Sequence, residues 1–327
     1  MQFYRENYCE VLAVLEESSN RTDPYAVRRA CAELKRLVLH RNAVRHSMVD
    51  EGRLLPVLVE IVTNHVEGEQ GEVVADCCRF LQRLISHKEP TELDIQSKLT
   101  EAGCLELMTK GLEAQPNARR LYIEICRLVT LLCFDTIATP HADNQTDIAN
   151  TALYELICAR LEQGGISEEE AAAGCSAISA LIYENDSNGV TAIHKYGILV
   201  KFSTVLRIFP VSLRVAHCIF QALFQLITME PSLSDDVVDT GMLQLAVELL
   251  DSSALMQEYR GPASFTVHWH IVKFLEINIR HNETNRVPLT RLGASRLVKL
   301  VYNNQEVASQ PGLLLMCEHA VANIEGT

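Results

Sequence analysis

Very little of this sequence is aromatic. Phe, Trp and Tyr make up 6% of its 327 residues, with a single Trp, and only 15 Gly and 10 Pro punctuate the chain. Sandwiches and barrels need aromatic and β-branched strands with frequent turns. This composition points instead to helices filled with Leu, Val, Ile and Ala. Long apolar runs are missing too: none approaches the roughly 18 residues that span a bilayer, so membrane insertion is not expected. The opening "MQFYRENYCEVL" interleaves charges with apolar residues and contains no signal-peptide core. None of the 11 cysteines belongs to a Cys-x-x-Cys pair, and Cys126, Cys175 and Cys218 sit inside apolar helical runs. They are expected to be buried free thiols in a reducing compartment, which places the chain in the cytoplasm.

Motifs that carry chemistry are also lacking. There is no Gly-x-x-x-x-Gly-Lys-Ser/Thr phosphate loop, no Gly-x-Gly-x-x-Gly, no Gly-x-Ser-x-Gly elbow, no kinase signature and no His-Glu-x-x-His. His268 and His270 are two apart, which on a helix turns them about 200° from each other, so they do not chelate one metal together. One is expected to pack and the other to be solvated. His217 beside Cys218 reads as core lining rather than a nucleophile pair. The sequence therefore predicts no catalytic residues, no cofactor, no metal and no small-molecule substrate. The net charge is −13, and residues 51–250 hold 28 acidic against 14 basic residues. An acidic middle repels phosphates and anionic lipid, which disfavours nucleic acid as a partner.

What is present is a repeat. "VDEGRLLPVLVEIV" at Val49 has counterparts in "TEAGCLELMTKGL" at Thr100, "HKYGILVKFSTVL" at His194, "VDTGMLQLAVELL" at Val238 and "TRLGASRLVKLVY" at Thr290. The glycines, Gly52, Gly103, Gly197, Gly241 and Gly293, are separated by 51, 94, 44 and 52 residues. The doubled interval implies a repeat without its Gly, and Ala149-Asn150-Thr151-Ala152-Leu153 stands in that place. A glycine at such a corner lets a short helix turn sharply into a second one. A third, longer helix follows in each copy: "EVVADCCRFLQRLI", "LYIEICRLVTLL", "EEAAAGCSAISALIY", "SLRVAHCIFQALFQLI", "FTVHWHIVKFLEINI" and "LLLMCEHAVANI". Helical periods of 40–50 residues indicate a solenoid. Between them, Asp23-Pro24 reads as an N-cap with Pro at the first helical position. Ser167-x-x-Glu170 reads as a capping box. Asp135–Asp147 reads as an exposed polar loop, and "DSSALMQEYRGPAS" as a long link.

Short helix, Gly, apolar helix, turn and long helix ending Leu-x-x-Leu resembles the armadillo repeat, over about residues 42–324 in six copies. The segment "YAVRRACAELKRLVLH" is similar to the last helix of a capping repeat. The expected organisation is a cap over residues 1–41 and one continuous solenoid over 42–327. The resemblance implies an all-α, right-handed α-α superhelix whose third helices line a concave face that grips extended peptides. Peptide-binding members of the importin-α and β-catenin type use an Asn near the end of each third helix and often a Trp four residues earlier. The equivalents here are Arg83, Thr130, Ala180, Gln225, Glu276 and Asn323, preceded by Arg79, Cys126, Ser176, Gln221, Val272 and His319. Only one is Asn and none is Trp, so the nuclear-import reading fails.

The remaining candidates on that face are Arg79, Arg83 and Arg127, expected to meet an acidic extended segment of a protein partner. Gln221 and Gln225 could bond a peptide backbone, and Trp269 could face the groove. The expected function is that of a non-enzymatic scaffold or adaptor. The alternatives are a regulator of a small GTPase or chaperone ATPase, and a structural subunit of a cytoskeletal or ciliary assembly.

Overall fold

A computed structural model describes residues 2–38, 45, 48, 52–67, 70–85, 95–135, 139–252, 262–303 and 310–326. The fold is all-α, with no strand among these residues and one isolated β-bridge between Phe134 and Pro140. Its contacts group into two compact units, Met1–Arg160 and Leu161–Thr327.

The first unit holds α1 (Gln2–Glu16), α2 (Ser18–Arg21), α3 (Pro24–Val38), α4 (Leu54–Glu67) and α5 (Gly71–Leu84), then α6 (Ile95–Glu101), α7 (Cys104–Ala114), α8 (Arg119–Leu132), α9 (Ala142–Ala149) and α10 (Leu153–Arg160). Asp23 caps α3 by accepting from Tyr25 N at 2.9 Å, and Pro24 is the first helical residue. The long helices form one layer, with α3 against α5 and α5 against α8; α4, α7 and α10 form another. Periodicity makes this possible. In α5, Val73, Val74, Cys77, Cys78, Leu81 and Leu84 fall on one buried stripe while Glu72, Arg79 and Arg83 stay on the other. The first short helix expected in this repeat falls on residues 39–51, of which only the buried Arg45 and Met48 are described.

The second unit holds α11 (Glu168–Ile182), α12 (Asp186–His194), α13 (Ile198–Ile208), α14 (Leu213–Met229), α15 (Leu233–Asp239) and α16 (Met242–Asp251). It continues with α17 (Pro262–His281), a 3-10 turn (Glu283–Asn285), α18 (Arg286–Arg291), α19 (Ala294–Tyr302) and α20 (Pro311–Glu325). Its long helices pack in the order α11, α14, α17, α20, and α13, α16 and α19 line up beside them. The Ser167–Glu170 capping box closes in both directions. Glu168, in the same first turn, accepts from Ser212 Oγ, the N-cap of α14, at 2.6 Å, so helix starts of neighbouring repeats are tied together. Most of the long link read in "DSSALMQEYRGPAS" lies outside the described residues.

The five corner glycines all adopt positive φ, from +58° at Gly197 to +90° at Gly103. An added Cβ at Gly103 or Gly197 would meet nothing within 4 Å, so the requirement is backbone conformation rather than room. The repeat without a glycine turns differently. Asn150 stays right-handed at φ −79°, and Thr151 makes the corner by donating to Ile148 O at 2.8 Å and accepting from Leu153 N at 3.2 Å.

One expectation is overturned. The second half of the Asp135–Asp147 stretch is not a loop: residues from Ala142 onward form α9, the short first helix of the third repeat. Asn144 and Gln145 point inward, while Asp143, Thr146 and Asp147 stay exposed. Asn144 donates to Leu132 O at 3.0 Å and accepts from Thr100, and buried His141 meets Ser97 Oγ at 2.9 Å.

Candidate partner-binding surfaces

The arginine spot lies on the solvent side of the α3–α5–α8 layer. Arg79 and Arg127 do not stand there as independent cations. Both reach Glu124, a carboxylate whose side chain is 1% exposed in the middle of the apolar run of α8. Arg79 Nε donates to Glu124 Oε1 at 3.0 Å, Arg127 Nη1 donates to the same oxygen at 3.3 Å, and Gln82 Nε2 donates to Oε2 at 2.9 Å. A buried carboxylate needs such partners, since an ion taken out of water without them costs several kcal/mol. The two guanidinium side chains remain 40% and 36% exposed, so each keeps donors for an outside acceptor. Arg83, one turn beyond Arg79, is exposed.

Asp76, three residues before Arg79 on α5, belongs to a different chain of charges. Arg28 of α3 donates to it at 2.7 Å, and Arg120 of α8 bridges it to Glu72. Sequence reasoning passed over Glu124 and Arg28. An acid inside the apolar stretch "LYIEICRLV" was the available signal, because a charge in a buried stripe demands a partner from the adjacent repeat.

In the second unit the corresponding layer is held by rings. His217 of α14 and His270 of α17 meet edge to face at 4.9 Å, and Phe220 meets Phe274 at 5.2 Å. Lys273 Nζ lies 3.6 Å over the ring of Phe224 and 5.9 Å from that of Trp269. Burial lowers the pKa of both imidazoles; that of His270 is pushed down to about 3, with the nearby His217 and Lys273 adding to the effect. The Nδ1 atoms of both rings are buried with no protein partner among the described residues. His268 is fully buried, so the expected split of the pair into one packed and one solvated ring changes: His270 packs too, against His217.

Gln221 and Gln225 are half-buried on the outer side of α14. Trp269 is half-buried, and its six-membered ring lies over Gly312 at the start of α20, where an added Cβ would come within 3.3 Å. The ring pairs His217–His270 and Phe220–Phe274 set the register between α14 and α17 at 53 or 54 residues. Gln225 is therefore level with Asn278, not with Glu276 as the Leu-x-x-Leu alignment has it. Asn278 is buried and donates to Phe274 O at 2.8 Å, so its amide is turned into its own helix. Glu276 is 3% exposed and accepts from Arg280 at 3.0 Å and from Asn323 at 3.2 Å.

Elsewhere, all 11 cysteines are free thiols, with Cys126 and Cys175 buried and Cys218 half-buried. Cys31 and Cys77 lie Sγ to Sγ at 3.7 Å, and the Cys77 thiol is pushed well up by its hydrogen bond to Cys31 and by burial. Among the described residues no cluster of three His, Cys, Asp or Glu could hold a metal, and no helix is long and apolar enough to cross a membrane.

No protein-family model and no curated protein matches the chain. Solved structures do. An engineered protein from a structural genomics consortium aligns at TM-score 0.72 and 16% identity, over 96% of this chain and 67% of that one. A chain from the structure described as "A conserved phosphorylation switch controls the interaction between cadherin and beta-catenin in vitro and in vivo" aligns at TM-score 0.74 and 14% identity. That match covers 98% of this chain but only 57% of the other. A designed armadillo repeat protein aligns at TM-score 0.61 and 17% identity, over 83% of this chain and 99% of its own. At these identities the likeness is one of fold: the chain has an all-α, armadillo-like repeat fold.

Proposed function

We propose that this chain is a non-enzymatic protein-interaction module of the cytoplasm, a scaffold or adaptor whose third-helix layers take hold of partner proteins. The observation that carries the reading is the arrangement around Glu124. It fixes Arg79 and Arg127 in place at the surface while leaving both part-exposed beside Arg83, which suits recognition of an acidic segment. Side chains already ordered in the free protein lose little further entropy on binding. The armadillo-like fold and the aligned structure concerned with cadherin and β-catenin support protein partners as the class. Gln221, Gln225 and Trp269 offer a second, less charged surface of the same kind on the other unit.

The test is fluorescence anisotropy with a synthetic Glu/Asp-rich peptide. Arg83→Glu is the informative variant, because Arg83 is exposed, whereas Arg79 and Arg127 also support Glu124. The substitution should weaken binding by roughly fivefold, the worth of about 1 kcal/mol for one exposed ion pair, and added salt should weaken the parent. A peptide that fails to bind, or binds both proteins equally at low salt, contradicts the reading.

A further inference from the structure

The cap helix α3 does more than cover the first repeat. Between it and α5 lies a cavity of about 390 Å³ lined by Tyr25, Arg28, Arg29, Lys35, Asp76 and Arg79, together with Cys31 and Ala32. Four cations face one carboxylate there, in a protein whose net charge is −13. Two of the four are already engaged, Arg28 by Asp76 and Arg79 by Glu124. Arg29 and Lys35 form no ion pair with a described carboxylate. The nearest acid on their own helix, Glu33, gives its oxygens to Arg36 and feels Arg29 only at longer range.

We propose that this cavity receives a phosphorylated side chain carried by the acidic segment of a protein partner. The inference rests on the interaction-module reading above and specifies the chemistry at one end of its surface. Charge selects the group. One carboxylate would satisfy a single cation and leave its neighbour unmatched, whereas a phosphate monoester brings nearly two negative charges and three acceptor oxygens at once. The prearranged forks of Arg28 and Arg79 suit those oxygens, with Arg29 and Lys35 supplying the balancing charge. Tyr25 is 76% exposed beside them and adds a hydroxyl donor. Position selects a chain rather than a compact polyanion: from Arg79 the basic line continues to Arg83 on the same helix and to Arg127 on the next, so an occupant anchored in the cavity can run on along that line.

The experiment compares three fluorescein-labelled forms of one Glu/Asp-rich peptide, with Ser, phosphoserine or Asp at a central position. It uses the full chain and an Arg29→Glu/Lys35→Glu variant checked for unchanged helicity. The phosphoserine peptide should bind the parent about tenfold more tightly than either other form, as a doubly charged multidentate acceptor does. That advantage should vanish in the variant while the Ser peptide loses far less. Equal binding of the three forms by the parent overturns the proposal and leaves the acidic-segment reading standing. An advantage that survives in the variant overturns the cavity as its site. Binding of none of the three forms overturns both. Inositol hexakisphosphate forms a separate arm: tight binding of it, with no preference for the phosphopeptide, assigns the cavity to a small polyanion instead.

Discussion

The third-helix layers of the two units do the same architectural job with different chemistry. In Met1–Arg160 the outer side of the layer is tied by charges that cross from helix to helix, Arg28 to Asp76, Asp76 to Arg120 and Arg79 to buried Glu124, with Arg127 joining Glu124 from the same helix. In Leu161–Thr327 α14 and α17 are joined instead by ring pairs, His217–His270 and the buried Phe220–Phe274, with Lys273 over Phe224. A buried acid is present there too, but the arginine of Glu276 comes from its own helix and its partner on α20 is the uncharged Asn323. A repeat layer thus needs only a complementary neighbour, and the kind of complementarity decides what the surface then offers. Charges leave the first unit with part-exposed guanidinium groups. Rings leave the second with the uncharged Gln221 and Gln225 on its outer side and with imidazoles that resist protonation.

Breaking each layer should expose that difference. Phe220→Ala, at a fully buried ring, should cost the second unit about 3–5 kcal/mol in denaturant unfolding, with little dependence on salt. Arg79→Ala combined with Arg127→Ala strands Glu124 with only Gln82 beside it, and should cost on the order of 3 kcal/mol. Substituting Glu124→Gln in that double variant should recover part of the loss. A double variant as stable as the parent would mean that Glu124 does not depend on these partners.

The imidazole pair makes the second unit sensitive to pH. In the fold both rings titrate below their ordinary value of 6.5, His270 near 3, because burial disfavours the charged form. The unfolded chain therefore binds more protons between those values. The pair's contribution to stability is complete above 6.5 and is lost as the pH falls towards 3. Lowering the pH from about 7 to about 5 should reduce the thermal midpoint of the parent more than that of a His217→Asn/His270→Asn variant. Equal reductions would remove the pair from the account.

The smallest effects concern the corners. Gly197→Ala should cost roughly 1–2 kcal/mol through its positive φ alone, since nothing crowds the new methyl group. Asn150→Gly should not stabilise the glycine-less corner and should cost roughly 0.5–1 kcal/mol, because its backbone is already right-handed. Thermal scans of the two variants decide both.

These corners were readable in the sequence because a positive φ leaves a residue-type signature. So were the Asp23 cap and the Ser167–Glu170 box, whose partners lie within three residues. What escaped was nonlocal. Polar Asn144 and Gln145 look like loop residues until the carbonyl of Leu132 and the side chain of Thr100 are brought to the first of them. The Leu-x-x-Leu ends gave a register for α17 that the packing of Phe220 on Phe274 replaces. The arginines were found by their spacing, but Glu124, which organises two of them, was hidden in an apolar stripe. The cavity beside α3 was missed because the basic face of that helix acquires meaning only against Asp76 and Arg79.

On the proposed reading, partners engage the third-helix layers. Amine-reactive crosslinking of the full chain in native extract, read by mass spectrometry, tests it most directly. Lys35 on α3 and Lys273 on α17 belong to those layers and are only half-exposed, whereas Lys110, Lys195 and Lys299 lie off them and are exposed. Random collisions would label the second group. Engagement of the layers should concentrate partner crosslinks on Lys35 and Lys273; crosslinks concentrated on Lys110, Lys195 and Lys299 would rule it out.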